Sequence, residues 1–571
     1  MYKDLYLSWL NSGKLSLDEV NELQSIKDDE KEIEYRFAKD VEFGTAGMRG
    51  LLGMGTNMLN VYTVKRATQA LAEYIKSIGK DAMHRGVAIS FDTRFYSDVF
   101  AKAAACVLAA NGINAYIFDD VRPVPMLSFA VKNLKTIAGI MITASHNPKE
   151  YNGYKVYGED GAQMSPEATA VVVDYINQIG DCLSDKIVST DFSDKRIHVI
   201  GADVDEEYYK NIISLCMSPK AVEKEGKNIK LVYTPVHGSG YVPVNTVLSR
   251  LGINATLVNE QVNKDGAFST VKVPNPEYKE TLSMGIELAD KIGADVVFGT
   301  DPDCDRLGVA VRGADGEFEA LSGNEVGVLL LDYILLRMCE DGQDLSNGFV
   351  VKSFVSTSMA QAIAKDYGVE LIETPVGFKF IGEQIKLLDD TGKKKYVFGF
   401  EESCGYLRGT HARDKDAVVA SMLFAEMVCY YQMNKITVSG RLNHLYEKYG
   451  YFFGKSVSIA FSGLNAMKEM NAVVDKMKVK EITSIGGIAI EAIRDYSVPV
   501  KTIVKTGEKV KIEIPACNCV YYELEGGSFV CIRPSGTEPK LKIYYTIKGK
   551  NKAFAEKSLN KVKADFEELL K

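Results

Sequence analysis

Apolar residues recur along this chain at two spacings that replace each other in turn, starting near Val61. Val64, Ala67, Leu71, Ile75 and Ile78 lie three or four apart, which predicts a helix over Tyr62 to Ile78 with one apolar face. Val87 to Phe91 reads as a strand, Val99 to Ala110 as a second helix, and Ala115 to Phe118 as another strand. Ile137 to Ile142 is an apolar strand that opens into a polar loop. Such alternation implies a mostly parallel sheet with right-handed crossovers. Residues 1 to 40, charged and helix-forming, read as a cap on this first domain.

The alternation repeats. Val107 to Ala115 ends in Asn-Gly-Ile-Asn-Ala; Val247 to Ala255 ends in Leu-Gly-Ile-Asn-Ala; Ile363 to Glu370 carries a fainter version around Gly368. Each is a helix end, a Gly stop and a strand. Upstream of each lies another strand: Val87 to Phe91, Lys230 to Tyr233, Phe349 to Phe354. Downstream of each an apolar strand opens into a polar loop: Ile137 to Ile142 before Ser145, Asp295 to Gly299 before Asp301, Tyr396 to Phe400 before Glu401. Gly112 precedes Ser145 by 33 residues, and Gly368 precedes Glu401 by the same 33. Equal offsets make a chance match of helix-Gly-strand junctions a poor explanation, and internal periodicity is the strongest organisational signal here.

After about residue 450 the pattern changes to short strands around Ile488 to Ile493, Val510 to Ile514 and Val520 to Leu524, joined by Gly-rich turns. A closing helix carries Ala555, Leu559, Val562, Phe566 and Leu569 on one face. The expected fold is therefore α/β with four domains: three similar mixed α/β sheet domains plus a C-terminal α+β domain, around one central cleft. The expected divisions are 1–206, 207–321, 322–450 and 451–571, each presenting one loop. A length of 571 residues agrees, being too great for one core.

Composition narrows the partners. The charged and apolar fractions, 25% and 46%, are those of an ordinary globular protein. Net charge is −8 with no long basic run, which argues against nucleic acid. No apolar span is long enough for a bilayer, and the N-terminus lacks a signal-peptide core. The ten cysteines are scattered, without a C-x-x-C pair, and read as reduced thiols of a cytoplasmic protein. Local basic sites should then serve a small ligand.

Thr143-Ala144-Ser145-His146-Asn147-Pro148 sits where a buried strand becomes a loop, the place where α/β sheets present reactive groups, which makes Ser145 the expected chemical centre. Asp301, Asp303 and Asp305 stand at alternate positions, so an extended segment turns all three carboxylates one way. Three converging carboxylates suit a hard divalent cation, Mg²⁺ if a phosphate adds an oxygen. Pro302, Arg306 and Arg312 exclude an EF-hand. Arg533, Ser535, Gly536 and Thr537 follow an apolar run and combine a guanidinium, hydroxyls and exposed amides, a cradle for phosphate. Glu401, Glu402 and Ser403 are equipped to grip sugar hydroxyls. Three Gly-containing stretches each carry one cation where backbone approaches a ligand: Phe43 to Gly50 with Arg49, Asn152 to Lys155, and Thr374 to Lys379 with Gly377.

Some chemistries drop out. A serine hydrolase lacks its G-x-S-x-G elbow, and neighbours such as Ser145 and His146 are not expected to present base to nucleophile. There is no Walker A loop and no G-x-G-x-x-G. His237 reads as a loop-structuring residue.

Together these loops resemble the α-D-phosphohexomutase superfamily over nearly the whole chain, most closely its long phosphoglucomutase type, which has a Phe-Gly-Thr-Ala-Gly-Met-Arg-Gly motif like residues 43–50. The resemblance implies a phosphoserine at Ser145, and one Mg²⁺ held by Asp301, Asp303, Asp305 and that phosphate. It implies that Glu401 and Ser403 bind sugar hydroxyls, that Arg533, Ser535, Gly536 and Thr537 hold the unreacting phosphate, and that Thr374 and Gly377 line the substrate. Arg49, Lys155, Arg306 and Lys379 would stabilise charge or shuttle protons, with His146, Lys155 and Lys379 as candidates for taking the sugar proton. Glucose 1,6-bisphosphate is the implied activator and a phosphosugar the implied partner; the expected assembly is a monomer or dimer. Departures are mild: Cys304 occupies a small-residue position of the metal loop, and Tyr406 follows Gly405 where phosphomannomutases have Gly-His.

Substrate is the open point. Phosphoglucomutase is the leading expectation, and phosphopentomutase shares the scaffold. A haloacid-dehalogenase-type phosphatase or mutase using Asp301 and Asp303, with Asp301 as nucleophile, would leave the Ser145 loop without purpose, and a non-catalytic sugar-phosphate binder would not need every group present.

Overall fold

The computed structural model describes residues 2–44, 47–461, 466–535 and 540–570. Gly112, Gly252 and Gly368 all adopt left-handed backbone, with φ of +77°, +81° and +69°, so the three repeated junctions are the same αL helix stop. The predicted elements form with small shifts: helices Val61–Ile78 and Ser97–Ala110, strands Val87–Phe91, Ala115–Phe118 and Ala138–Ile142.

Each repeat builds the same core of three parallel strands, with the strand after the Gly stop at one side and the strand before the polar loop at the other. In the first, Val87–Phe91 pairs in parallel with Ala115–Phe118 and Ala138–Ile142. In the second, Leu231–Thr234 pairs in parallel with Ala255–Leu257 and Val296–Thr300. In the third, Gly348–Ser353 pairs in parallel with Glu370–Thr374 and Lys395–Glu401. The sheets are mixed because the first two polar loops reverse the chain. Tyr151–Gly158 returns antiparallel to Ala138–Ile142, and Leu307–Arg312 returns antiparallel to Val296–Thr300. Ser145 and Asp301 therefore sit on hairpin-like connections at strand ends.

Four α/β domains are arranged in two compact units. The first contains residues up to Leu321 and also Gly405–Met433. One core lies between the seven-stranded sheet and the helices Val61–Ile78 and Ser97–Ala110, with Leu71, Ile75, Ile89, Leu108 and Ile140 fully buried. Helix Ala417–Met433, expected within residues 322–450, packs in this unit: Phe424 meets Phe298 edge-on at 5.4 Å, and buried Glu426 accepts the amides of Met217 and Ser218 at 2.7 and 2.5 Å.

The second unit contains Ser322–Cys404 and residues from Asn434 onward. Its C-terminal part is an antiparallel sheet in which Tyr451–Ala460 pairs with Lys540–Gly549, then Ser528–Pro534, Val520–Leu524, Ile488–Asp495, Val500–Ile503 and Lys509–Lys511. Helix Lys552–Leu570 covers it with Ala555, Leu559, Val562 and Phe566 buried, as the helical spacing predicts. The strand expected over Val510 to Ile514 stops at Lys511: Ile512 N–H still donates to Pro499 O at 2.9 Å, but Pro499 has no N–H to return the ladder bond. Phe354 stacks on Tyr496 at 4.4 Å and joins Tyr521, Phe529 and Tyr544 in a core between this sheet and the Gly348–Ser353 strand.

Candidate active site

Strand Ala138–Ile142 is buried throughout and delivers Thr143 to a turn in which Ser145 has φ +51°, a left-handed conformation that a non-glycine residue holds only when its surroundings over-determine it. The surroundings are explicit. Ser145 N–H donates to Thr143 Oγ1 at 2.8 Å, and Thr143 Oγ1 donates to buried Asp92 at 2.6 Å. The same twist brings Ser145 Oγ to 3.1 Å from His146 Nδ1. Ser145 Oγ donates to Asp301 Oδ2 at 2.9 Å, so an imidazole carrying its proton on Nδ1 can donate to Oγ.

Asp301, Asp303 and Asp305 are buried, and each offers an oxygen within 4.8 Å of the others. Alternation alone does not achieve this: Cys304 takes φ +50° and folds the loop onto itself, so Asp301 Oδ1 accepts the amides of Asp305 and Arg306 at 3.1 and 3.0 Å. Cys304 turns away from the carboxylates into the core, towards Gly240 and Thr300. The loop is held from outside by Ser239, whose N–H and Oγ both donate to Pro302 O at 2.8 Å, and by Val124 N–H to Asp303 O at 2.9 Å. His237 has both ring nitrogens engaged, with Asn263 O at 2.9 Å and Thr270 Oγ1 at 2.8 Å, as a loop-structuring residue should.

Cations converge on the acidic loop. Lys155, from strand Tyr151–Gly158, meets Asp303 at 3.0 Å; Lys415 meets Asp305 at 3.0 Å and Asp414 at 3.3 Å; the Arg306 guanidinium lies 4.0 and 3.9 Å from Asp301 and Asp305. Arg49, on strand Gly47–Leu51 beside Gly153, donates to Asn147 Oδ1 at 3.3 Å. Asp301 is pushed well above the usual range by burial and by Asp303 and Asp305; at Asp303 burial also pushes upward, but Lys155 together with a hydrogen bond to Asp301 and the charge of Lys415 outweighs it and holds the carboxyl low. Asp305 is raised by burial and by Asp303, with Lys415 opposing.

Fit to a cation can be tested on these atoms. Asp303 Oδ1 and Asp305 Oδ1 are buried without a hydrogen-bond partner among the described residues. A buried carboxylate oxygen without a partner is costly unless a cation takes it. Three hard oxygens beside a serine hydroxyl therefore fit a divalent metal ion.

Four members of this site were not foreseen. Arg94 donates to the carbonyls of Ser145, Asn147, Pro148 and Tyr151, and Asp92 pairs with it. The signal was available, since Asp92-Thr93-Arg94 leaves strand Val87–Phe91 at the same sheet end as Ser145. Lys415 and Asp414 come from His411 to Asp416, a polar run before an apolar helix, whose place beside residue 305 no local pattern reveals.

In the second unit, Glu401 is buried at the end of its strand and accepts the Gly377 amide at 2.6 Å, at a point where Gly377 needs φ +128°. Thr374 is buried at the end of strand Glu370–Thr374, on the other side of strand Gly348–Ser353, and Lys379 Nζ lies 4.9 Å over the Phe380 ring. Ser403 is partly exposed in the turn after Glu402, whose carboxylate accepts Ser353 Oγ at 2.8 Å. Arg533 and Ser535 close strand Ser528–Pro534, with Ser535 N–H donating to Lys540 O at 2.8 Å. Gly536 and Thr537 lie outside the described residues. Ser145, Asp301, Thr374, Glu401 and Arg533 thus sit at or just past strand ends, whereas Arg49 and Lys155 point from mid-strand positions and Lys379 from a helix.

Sequence models of phosphoglucomutase/phosphomannomutase α/β/α domains I, II and III match residues 40–181, 206–316 and 322–449 in that order. A phosphoglucomutase from Staphylococcus saprophyticus is 36% identical over 547 residues, covering 94% of this chain and 96% of that protein. The phosphoglucomutase of Staphylococcus aureus strain USA300 is 36% identical over 526 residues, covering 91% and 92%. Among solved structures, a phosphoglucomutase/phosphomannomutase family protein from Burkholderia thailandensis aligns with a TM-score of 0.66 at 18% identity, over 92% of this chain and 96% of that one. Parafusin, a Paramecium phosphoglucomutase, aligns with a TM-score of 0.67 at 17% identity, over 92% and 94%. The two structures share the fold.

Proposed function

The chain belongs to the phosphoglucomutase/phosphomannomutase family and is an intramolecular phosphotransferase of the phosphoglucomutase type, and from that premise we propose that it interconverts glucose 1-phosphate and glucose 6-phosphate through a phosphoserine at Ser145. The observation that carries this reading is Ser145 Oγ, 2.9 Å from Asp301, beside three buried aspartates with Lys155, Lys415 and Arg306 around them. Phosphoryl transfer needs positioning and charge neutralisation more than covalent chemistry, and this site provides both.

In the proposed cycle the bond between phosphorus and Ser145 Oγ breaks as the 6-hydroxyl of glucose 1-phosphate forms its own P–O bond and loses its proton. The resulting glucose 1,6-bisphosphate turns over. Its 1-phosphoryl group then returns to Ser145 Oγ, and glucose 6-phosphate leaves. His146, held against Oγ, donates to the serine oxygen as it becomes the leaving group; Lys155, Arg49 and Arg306 balance charge on the transferred phosphoryl. Asp301, Asp303 and Asp305 would hold one Mg²⁺ with a phosphoserine oxygen, and that ion supplies further neutralisation at the phosphoryl oxygens. Lys379 is the candidate acceptor of the sugar proton. Glu401 and Ser403 bind sugar hydroxyls, Thr374 and Gly377 line the substrate, and Arg533, Ser535, Gly536 and Thr537 hold the phosphate that is not reacting. Glucose 1,6-bisphosphate is the activator, since it rephosphorylates a dephosphorylated Ser145. We read the domains as 1–206, 207–321, 322–450 and 451–571, each supplying one loop, and the protein as a cytoplasmic monomer or dimer whose ten free cysteines stay reduced.

The test is a coupled assay with Mg²⁺ and a trace of glucose 1,6-bisphosphate, comparing glucose, mannose and ribose 1-phosphates by kcat/KM. Glucose 1-phosphate should lead. A ribose preference would replace the substrate with a pentose, and silence on all three would overturn the reading. Ser145→Ala should abolish turnover and the phosphoserine seen by intact mass while leaving the melting temperature unchanged.

A further inference from the structure

We infer that Arg94 is a positioning residue for the nucleophile: its guanidinium, rather than the loop's own hydrogen bonds, sets the backbone that aims Ser145 Oγ at the aspartate cluster. This rests on the proposed role of Ser145. Arg94 is almost completely buried, and it makes no contact with the metal loop's carboxylates. What it does contact is the serine loop from below. Nη2 donates to Ser145 O and Asn147 O, both at 2.5 Å, and Nη1 donates to Pro148 O at 2.9 Å and Tyr151 O at 3.0 Å. All four Nη hydrogens are thus spent on four carbonyls spread over seven residues of one loop.

Those carbonyls have few other partners. Within Ala144 to Tyr151 the loop's own backbone bonds are Asn147 N–H to Ala144 O and Tyr151 N–H to Pro148 O, both at 3.1 Å. A loop with two internal bonds does not hold a serine at φ +51° unaided. The planar fork of an arginine reaches four acceptors in fixed directions; an ammonium has three donors at one point and spans no such set. Arg94 is itself held. Asp92 lies 3.4 Å from its Nε, accepts Arg94 N–H at 3.0 Å and Ser97 Oγ at 2.8 Å, and takes the Thr143 hydroxyl that supports Ser145 N–H. The Phe268 ring closes the other side at 5.0 Å. One cation and one carboxylate therefore fix both ends of the turn, Thr143 on one side and Tyr151 on the other.

The expected consequence separates positioning from binding. Arg94→Lys keeps a charge for Asp92 but releases most of the carbonyls. It should lower kcat about 100-fold, the scale of a misplaced reacting group, with KM for glucose 1-phosphate within about twofold. Arg94→Ala should lose more and be restored at least about tenfold by tens of millimolar guanidinium relative to matched sodium chloride, because the ion refills the same donors; the unaltered protein and Ser145→Ala should not respond. Hydrogen exchange on Arg94→Lys should accelerate at residues 144–151 and not in strand Val296–Thr300. This readout needs no substrate, so a protein that turns over no sugar phosphate would sink the proposed function and still decide the role of Arg94. If Arg94→Ala fails to fold, Arg94→Lys carries the test. A kcat within about threefold of the unaltered protein, unchanged exchange at 144–151, or loss of activity only in proportion to unfolded protein with no guanidinium rescue would overturn the inference.

Discussion

Replacing Lys415 by Met removes one of two ammonium groups that touch the acidic loop. Its Nζ lies 3.0 Å from Asp305 and 3.3 Å from Asp414, with 11% of the side chain exposed. At an effective dielectric constant of about 20 each contact is worth about 5 kcal/mol of gross Coulomb attraction, and desolvation of the ammonium cancels much of it. Removing one partner of such a buried pair costs about 3–5 kcal/mol, because the carboxylates stay behind unpaired. Met fills the alkyl volume, so cavity formation adds little. In metal-free buffer the first unit should melt about 4–7 °C lower, at about 1.4 °C per kcal/mol from about 2.1 cal/mol/K of unfolding entropy per residue over a unit of this size. A saturating divalent cation should recover most of the loss, because it neutralises the same carboxylates. Differential scanning calorimetry with and without Mg²⁺ measures both. A metal-free shift below about 2 °C, or equal shifts with and without Mg²⁺, would show that Lys415 does not balance the aspartate cluster.

Gly238→Ala should disturb the metal loop from behind: a Cβ there would stand 2.6 Å from Pro302 Cα and 2.9 Å from Asp301 O, both backbone atoms that cannot move aside alone. The Mg²⁺ concentration for half-maximal activity should rise at least about tenfold, and an unchanged requirement would refute this. Glu373 bridges Lys352 at 3.0 Å and Arg494 at 2.9 Å in the second unit. Burial alone would raise its carboxyl, but the two cations bring it down to about 2 from 4.5. A depressed carboxyl stabilises the folded state above its unfolded pKa, so about 3 kcal/mol should be present above pH 5 and be lost as the pH falls towards 2. Glu373→Gln should flatten that part of the acid-unfolding curve followed by tyrosine fluorescence; an unaltered curve contradicts the assignment. Phe354→Ala breaks the stack on Tyr496 and should destabilise the second unit by about 3–5 kcal/mol, read as a lower urea midpoint for its transition.

Most of the site was legible because its residues lie next to strand ends that apolar periodicity marks. Ser145 and Asp301 each follow a buried run, and the equal spacing from Gly112 to Ser145 and from Gly368 to Glu401 ties two of the loops to one repeated architecture. Arg94 shared that signal and was passed over, since one arginine after a strand carries no motif. Lys415 had no signal at all: 110 residues separate it from Asp305, and the contact exists only because the Gly405–Met433 segment packs within the first unit.

The sequence by itself determined the elements, the three repeated sheets and the residue types each loop presents, because helix and strand periods, glycine stops and clustered carboxylates are local properties of the chain. Tertiary structure alone decided which carboxylate each cation meets, that His146 turns back onto Ser145, and that four carbonyls of the Ser145 loop share one buried guanidinium. Those facts depend on backbone twist at φ +51° and +50° and on ion pairs across long stretches of chain. Burial makes such pairs strong, and burial is a property of the packed molecule rather than of any segment.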